Sequence, residues 1–261
     1  MRMAIIVVLA SALMLVAQTQ PPAPVDSSAA RTPILVELFT SEGCSDCPPA
    51  DAFLQELDQQ PYPGAELIVL SEHVDYWNHD GWKDPYSSAF YTERQSAYAQ
   101  EFGLKTVYTP QMVVDGTSEF AGSHRAEASG AFAKAETAPT VGVHLSSISV
   151  NANTLRAHVE TAALPKGQKA DVYVVVALNH AESQVSAGEN AGRKISHTAV
   201  ARIMKKVGSI PKEQSFAEDF ELKLTPELAA ANLRLVAFIQ EGHQGKVLGA
   251  TEQAVSTTKN Q

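Results

Sequence analysis

The sequence predicts an α/β domain followed by an all-β sandwich, and three observations carry that prediction. Strand-like and helix-like segments alternate from Pro33 to Glu136. After Pro139, short segments with period-two apolar alternation follow one another without crossover helices. The composition, 44% apolar and 19% charged, is that of a globular protein and excludes disordered, collagen-like and coiled-coil chains. A length of 261 residues suits one large domain or two of ordinary size, and the change of texture near Ala138-Pro139-Thr140 favours two. The formal net charge of −9 leaves no basic footprint for nucleic acid or an anionic membrane surface.

Met1-Arg2-Met3 supplies a positive start, and Ala4 to Val16 is a continuous apolar run. Spanning a bilayer takes about 20 apolar residues, so this run reads as the core of a signal peptide rather than a stable membrane anchor. Cleavage is placed after Ala17, giving residues 1–17 as the signal, or as late as Ala30, where Ser28 completes a small-x-small pattern. A buried N-terminal helix is the alternative reading. Residues 18–32, with Pro21-Pro22-Ala23-Pro24, form a Pro/Ser-rich linker. The mature protein is expected to be exported, periplasmic or secreted, into an oxidising space.

Ile34 to Phe39 is apolar at nearly every position, as a strand covered on both faces should be. Pro48 to Asp58 reads as a helix with Phe53, Leu54 and Leu57 on one stripe, and Glu66 to Leu70 as a second buried strand. Asp84-Pro85 opens a longer helix as N-cap and first-turn proline, closed by Gly103. Met112-Val113-Val114 runs into Asp115-Gly116, a hairpin signal, and Arg125 to Glu136 is a last helix. This defines residues 33–139 as the α/β domain. In residues 140–256 the alternating segments begin at Val141, Leu155, Phe220 and Leu233, Asp171 to Leu178 reads as a central strand, and Gly245 marks a hairpin turn. Ile195 to Val207 fits both strand and helix periods. The spacing suggests an antiparallel, immunoglobulin-like sandwich.

The only cysteines, Cys44 and Cys47, form a C-x-x-C between the first strand and the first helix. There the unpaired N–H groups and positive end of a helix favour a thiolate, and a β-α-β setting makes the motif a redox signal. Two alternatives stand beside it. A structural staple is one, though so short a loop gains only about 2 kcal/mol against about 3 for fifteen residues. The other is Cu or Zn held by both thiols with His73, His79 or His124.

The order of elements, the C-x-x-C and Thr109-Pro110 before a strand resemble the thioredoxin fold. That resemblance implies a cis-proline at Pro110 packed against the dithiol, with Thr109 offering backbone groups to a substrate. The stretches Val36 to Asp51, including Gly43-Cys44-x-x-Cys47-Pro48-Pro49-Ala50-Asp51, His73-Val74-Asp75-Tyr76-Trp77 and Gly188-Glu189-Asn190-Ala191-Gly192-Arg193 are similar to a family of exported bacterial proteins described only as a domain of unknown function. Thioredoxin-like proteins often keep a buried acid as proton acceptor for the second cysteine, which points to Glu37. A strand-edge carboxylate facing water is the alternative. The dithiol is flanked by Glu42, Asp46 and Asp51 with no nearby Lys or Arg, and Pro48-Pro49 moves the helix start to Cys47. The aromatic-rich segment Tyr76 to Phe102 serves as core along its helix, and as docking surface or packing in the loop Asp75 to Asp84. Glu189, Asn190, Arg193 and His197 form a polar loop facing the dithiol or an ordinary turn.

The expected function is therefore an exported thiol–disulfide oxidoreductase acting on protein or peptide disulfides. Cys44 is the nucleophile, Cys47 the resolving thiol, Thr109 and Pro110 the substrate-positioning segment and Glu37 a proton acceptor. It needs no cofactor or metal, only a redox-resetting partner. Because acids flank Cys44, the expected potential lies nearer about −270 mV than about −120 mV, favouring reduction or isomerisation of disulfides over oxidation. The alternative is a non-catalytic exported binding module, or a Cu/Zn-binding protein using the dithiol.

Overall fold

The first strand, β1 (Thr32–Thr40), is buried without interruption from Ile34 onward, which places it in the middle of a covered sheet. The computed structural model describes residues 31–229 and 232–255. The expected signal peptide and most of the linker lie outside the described residues. Pairing starts with β1 running parallel to β2 (Ala65–His73) and antiparallel to β3 (Gln111–Val114). A three-residue turn, Asp115-Gly116-Thr117, whose first two residues have positive φ (46° and 62°), leads into β4 (Ser118–Ala121), where the Asp-Gly pair predicts a hairpin. The helices α1 (Pro48–Gln59), α2 (Ala89–Glu101) and α3 (Arg125–Glu136) complete this half.

The long helix starts later than its Asp-Pro pair suggests. Ser88 caps α2, its side chain accepting the Phe90 N–H, while Asp84 is buried elsewhere. A carboxylate with a buried imidazole within reach gains more there than at an exposed cap. At the other end Gly103, with φ 67°, takes the left-handed position that stops the helix.

The remaining strands are β5 (Val143–Asn151), β6 (Thr154–Thr161), β7 (Ala170–Gln184), β8 (Lys194–Ile210), β9 (Phe216–Lys223), β10 (Leu233–Gln240) and β11 (Val247–Val255), with the short helix α4 (Pro226–Ala229) between β9 and β10. The ambiguous segment Ile195 to Val207 is thus strand, and its five consecutive buried residues from His197 to Ala201 are those of a strand covered on both faces.

The expected fold class, a thioredoxin-like α/β domain followed by an immunoglobulin-like sandwich, is not what forms. One eight-stranded mixed sheet runs through both halves in the order β11-β10-β7-β8-β2-β1-β3-β4, beside a three-stranded sheet β5-β6-β9. The junction is β8, which pairs antiparallel with β7 along most of its length and parallel with β2 at Ser71–Val200. Without β8, the buried strand β2 would present an open edge of unpaired backbone groups. Residues from Arg31 onward accordingly form one compact unit.

Three apolar layers follow. The three-stranded sheet packs through Leu155, Val159 and Leu222 on Val172, Val174 and Val176 of β7. Helices α1 and α3 pack on Val36, Leu38 and Val69. The sheet also curls, so that β11 lies against β1 and the Val247 N–H donates to the Asp115 carbonyl. Leu35, Leu70, Val175 and Phe238 fill the enclosed interior. Each fully buried valine or leucine in these layers contributes about 1.5–3 kcal/mol. Because of strand alternation, Leu35 and Glu37 face that interior while Leu38 and Thr40 face α1.

Candidate functional site

At the end of β1 the chain turns through Ser41-Glu42-Gly43 into the C-x-x-C. The Cys44 N–H donates to the Ser41 carbonyl, and the Cys47 N–H to the Cys44 carbonyl. Cys47 is the N-cap of α1, and Pro48-Pro49 occupy positions where a missing N–H leaves nothing unsatisfied. The two cysteines form a disulfide with Cα atoms 5.4 Å apart. Cys44 is 1% exposed and Cys47 0%, while Ser45 and Asp46 between them face solvent. The loop thus exposes its two middle residues and turns its sulfurs inward.

Opposite the sulfurs lies the Thr109–Pro110 peptide, which is cis. The Thr109 carbonyl oxygen stands 3.8 Å from Cys44 Sγ. Pro110 is buried, and its carbonyl accepts the Gly122 N–H at 2.9 Å. A Cβ at Gly122 would fall 2.6 Å from Leu38 Cδ1 and 3.2 Å from Pro110 Cβ, so this close approach requires glycine. Four of the five sequence-predicted site residues, Cys44, Cys47, Thr109 and Pro110, therefore meet in one place.

Glu37 is placed elsewhere. It is fully buried rather than facing water, and its carboxylate is occupied by Arg94 Nε at 2.6 Å and by the Tyr98 hydroxyl at 2.5 Å. This cluster sits on the interior face of the sheet, and Arg94 is a residue that sequence reasoning missed. An apolar strand interrupted by an acid, with a cation on a helix otherwise read as core, was the signal available.

The loop before α2 spends both its indoles on the dithiol's surroundings. Trp77 Nε1–H donates to Thr109 Oγ1 at 2.8 Å, and a Cβ at Gly43 would fall 2.9 Å from Trp77 Cβ. Trp82 Nε1–H donates to Glu42 Oε2 at 2.8 Å. From the β7–β8 connection, Asn190 gives its amide hydrogens to the carbonyls of Glu42 and Cys44, both at 2.9 Å. Its neighbour Glu189 accepts the Ser45 N–H at 3.1 Å. The segment Val185 to Arg193 is therefore a polar loop laid directly on the C-x-x-C.

Beneath the loop lies a buried set of titratable side chains. His197 Nε2 is 3.1 Å from Glu42 Oε1, and its Nδ1 is 3.7 Å from Asp51 Oδ1. His73 Nδ1 is 2.7 Å from Asp84 Oδ2, which also accepts the Glu42 N–H. The two imidazole rings are 4.6 Å apart at their centroids, with Tyr86 beside both. Burial alone would lower His197, but attraction to Asp51 and then Glu42 outweighs it and pushes it up to about 10. Burial would likewise raise Asp84, yet His73 and the N–H donors of Glu42 and Tyr86 bring it down to about 2. Glu42 and Asp51 are legible in the sequence as acids flanking the dithiol, but their cation comes from a strand some 150 residues away and carries no local signal.

Among the described residues no group of three His, Cys, Asp or Glu is arranged to hold a metal ion. His79 and His124 are exposed, and His73 is engaged by Asp84.

A family model described as "Protein of unknown function (DUF1223)" matches residues 35–240. Among solved structures, the chain is similar to a protein from Agrobacterium tumefaciens at 25% identity, covering 88% of this chain and 98% of that one with a TM-score of 0.67. It is also similar to HBP35 of Porphyromonas gingivalis at 16% identity, covering 88% of this chain and 78% of that one with a TM-score of 0.62. No match was found among curated proteins.

Proposed function

The chain belongs to the DUF1223 family of proteins of unknown function, and we propose that its Cys44–Cys47 pair is a thiol–disulfide exchange centre in an exported oxidoreductase acting on protein or peptide disulfides. The observation that carries this reading is the Thr109 carbonyl, held 3.8 Å from Cys44 Sγ beside the buried Pro110. A carbonyl fixed beside a reactive sulfur is where a bound peptide backbone would align, and this pairing resembles the one that the thioredoxin likeness of the motif implies. Export rests on the N-terminal sequence, and a redox-resetting partner is part of the proposal.

A substrate thiolate attacks Cys44 Sγ, the Cys44–Cys47 bond breaks, and Cys47 leaves as a thiolate that takes up a proton. A second substrate thiol then attacks the mixed disulfide, releasing an oxidised substrate and the Cys44 thiolate. In the reverse direction, Cys44 attacks a substrate disulfide and Cys47 resolves the adduct. Of the acids expected to hold the potential low, Asp46 stands in solvent and Glu42 is matched by His197, so the direction of exchange turns on that histidine.

One observation favours a second reading. With Cys44 1% exposed, the disulfide serves equally as a fixed closure of the loop unless the Asn190 segment moves. Insulin reduction and equilibration with a glutathione couple separate the two. Turnover that disappears in Cys44→Ser supports exchange, and a disulfide that resists dithiothreitol under native conditions makes it a staple.

A further inference from the structure

We propose that His197 is a positioning residue of the dithiol, a buried imidazolium supplied by β8 that ties together the carboxylates on either side of the C-x-x-C loop and favours the thiolate formed on reduction. The proposal rests on the thiol-exchange reading and assigns a residue to it.

The geometry is that of a clip. Glu42 precedes Cys44 by two residues, and Asp51 follows Cys47 by four. Because Cys47 already has helical dihedrals, the i,i+4 spacing puts Asp51 on the same side of α1 as Cys47. His197 reaches both acids, at 3.1 and 3.7 Å, and is 1% exposed. One ring therefore spans the two ends of the loop that holds the disulfide. The groups facing it are Glu42 from the loop, Asp51 from α1, His73 from β2 paired with Asp84, and Tyr86. On the β7 side its partner is Ala181, which carries no charge.

Two features set this histidine apart from one that merely fills space. His197 Nδ1 and Asp51 Oδ1 are both buried without a hydrogen-bond partner, a donor and an acceptor facing each other at 3.7 Å. Two residues on, Ala199 is fully buried with φ 49°. That left-handed conformation is disfavoured for alanine, and such strain concentrates where a strand must present a side chain at a functional place.

The chemistry follows from charge. Each exchange step releases a cysteine thiolate, and uncompensated carboxylates beside it oppose its formation. A like charge shifts such a group by about one pH unit or more. Removing the imidazolium leaves Glu42 and Asp51 unopposed, so the thiolate fraction below the midpoint falls about tenfold.

The test is the pH dependence of iodoacetamide alkylation of the reduced full chain. His197→Gln is expected to raise the midpoint by about one unit or more, and Glu42→Gln combined with His197→Gln to recover at least half of that shift. A midpoint within about 0.2 unit of wild type, or a double variant with no recovery, overturns the proposal, because a purely structural role would not respond to charge restoration. Should His197→Gln fail to fold, imidazole NMR of the wild type decides. A ring protonated at neutral pH, whose titration moves when the disulfide is reduced, supports the proposal, and a ring indifferent to reduction overturns it. A wild-type disulfide that resists dithiothreitol overturns the exchange reading itself.

Discussion

Two buried ionic clusters tie the halves of this molecule together, and they are built from different cations. On the interior face of the curled sheet, Arg94 sits among Glu37, Glu72, Tyr98 and Gln240, with its Nη2 donating to the Tyr98 hydroxyl and to Gln240 Oε1, both at 3.1 Å. The rings of Tyr98 and Phe238 lie 5.1 and 5.4 Å from its Cζ. On the α1 side, beneath the dithiol, the cation is His197 among Glu42 and Asp51. Arginine keeps its charge at every accessible pH, so the first cluster is a fixed cross-tie. Histidine carries a charge that neighbours set and pH removes. The difference places the permanent charge deep in the core and the adjustable one on the carboxylates that flank the C-x-x-C loop.

The largest effect should come from Arg94→Met. It leaves Glu37 fully buried without its cation, a change that costs about 3–5 kcal/mol, read by urea unfolding. Because Glu37, Glu72 and Gln240 come from β1, β2 and β10 of one sheet, loss is expected in a single transition. Two resolved transitions would show that the halves unfold separately and would break the comparison.

The histidine cluster should instead announce itself through pH. His197 binds its proton more tightly in the fold, at about 10, than an unfolded histidine at about 6.5. Its stabilisation is therefore fully present below about pH 6.5 and is lost as pH rises towards 10. The stability gap between wild type and His197→Gln should narrow across that window, whereas a gap constant with pH would make the two clusters alike.

A smaller effect is expected for Asn190→Ala. Two hydrogen bonds to loop carbonyls disappear, at about 1 kcal/mol each, and reduction of the disulfide by dithiothreitol should quicken several-fold as the covering segment opens. An unchanged rate would mean that the segment does not shield the sulfurs.

The smallest belongs to Glu72→Gln. Burial first, then the Glu37 charge, raises Glu72 well above the usual carboxylate range despite Arg94, so its surroundings favour the neutral form. The substitution should stay within about 0.5 kcal/mol of wild type. A loss of several kcal/mol would mean that Glu72 is charged and that Arg94 serves two carboxylates at once.

Much of the local structure was legible in the residues. The buried run of β1, the Asp115-Gly116 turn, the first helix beginning beside Cys47, and Thr109-Pro110 before β3 all follow from short-range rules. These include period-two patterning, turn chemistry and the missing N–H of proline. The C-x-x-C and its acidic neighbours Glu42 and Asp51 were equally plain. The architecture was not, because the segment that becomes β8 fits both strand and helix periods and says nothing about which strand lies alongside. A reading confined to neighbours along the chain stops the sheet at β2, and the fold continues it through Ser71–Val200 into four further strands, β8, β7, β10 and β11, and their cover. Glu37 stood out as a costly acid in an apolar strand, yet only the tertiary structure supplied Arg94 from α2 to pair with it. The same holds for His197 and Asn190, which reach the dithiol loop from 155 and 146 residues away. Backbone dihedrals and turns are settled within a few residues, so sequence determines them locally. The partner of a buried charge is settled by which distant strand closes the sheet edge, and that depends on the packing of the whole chain.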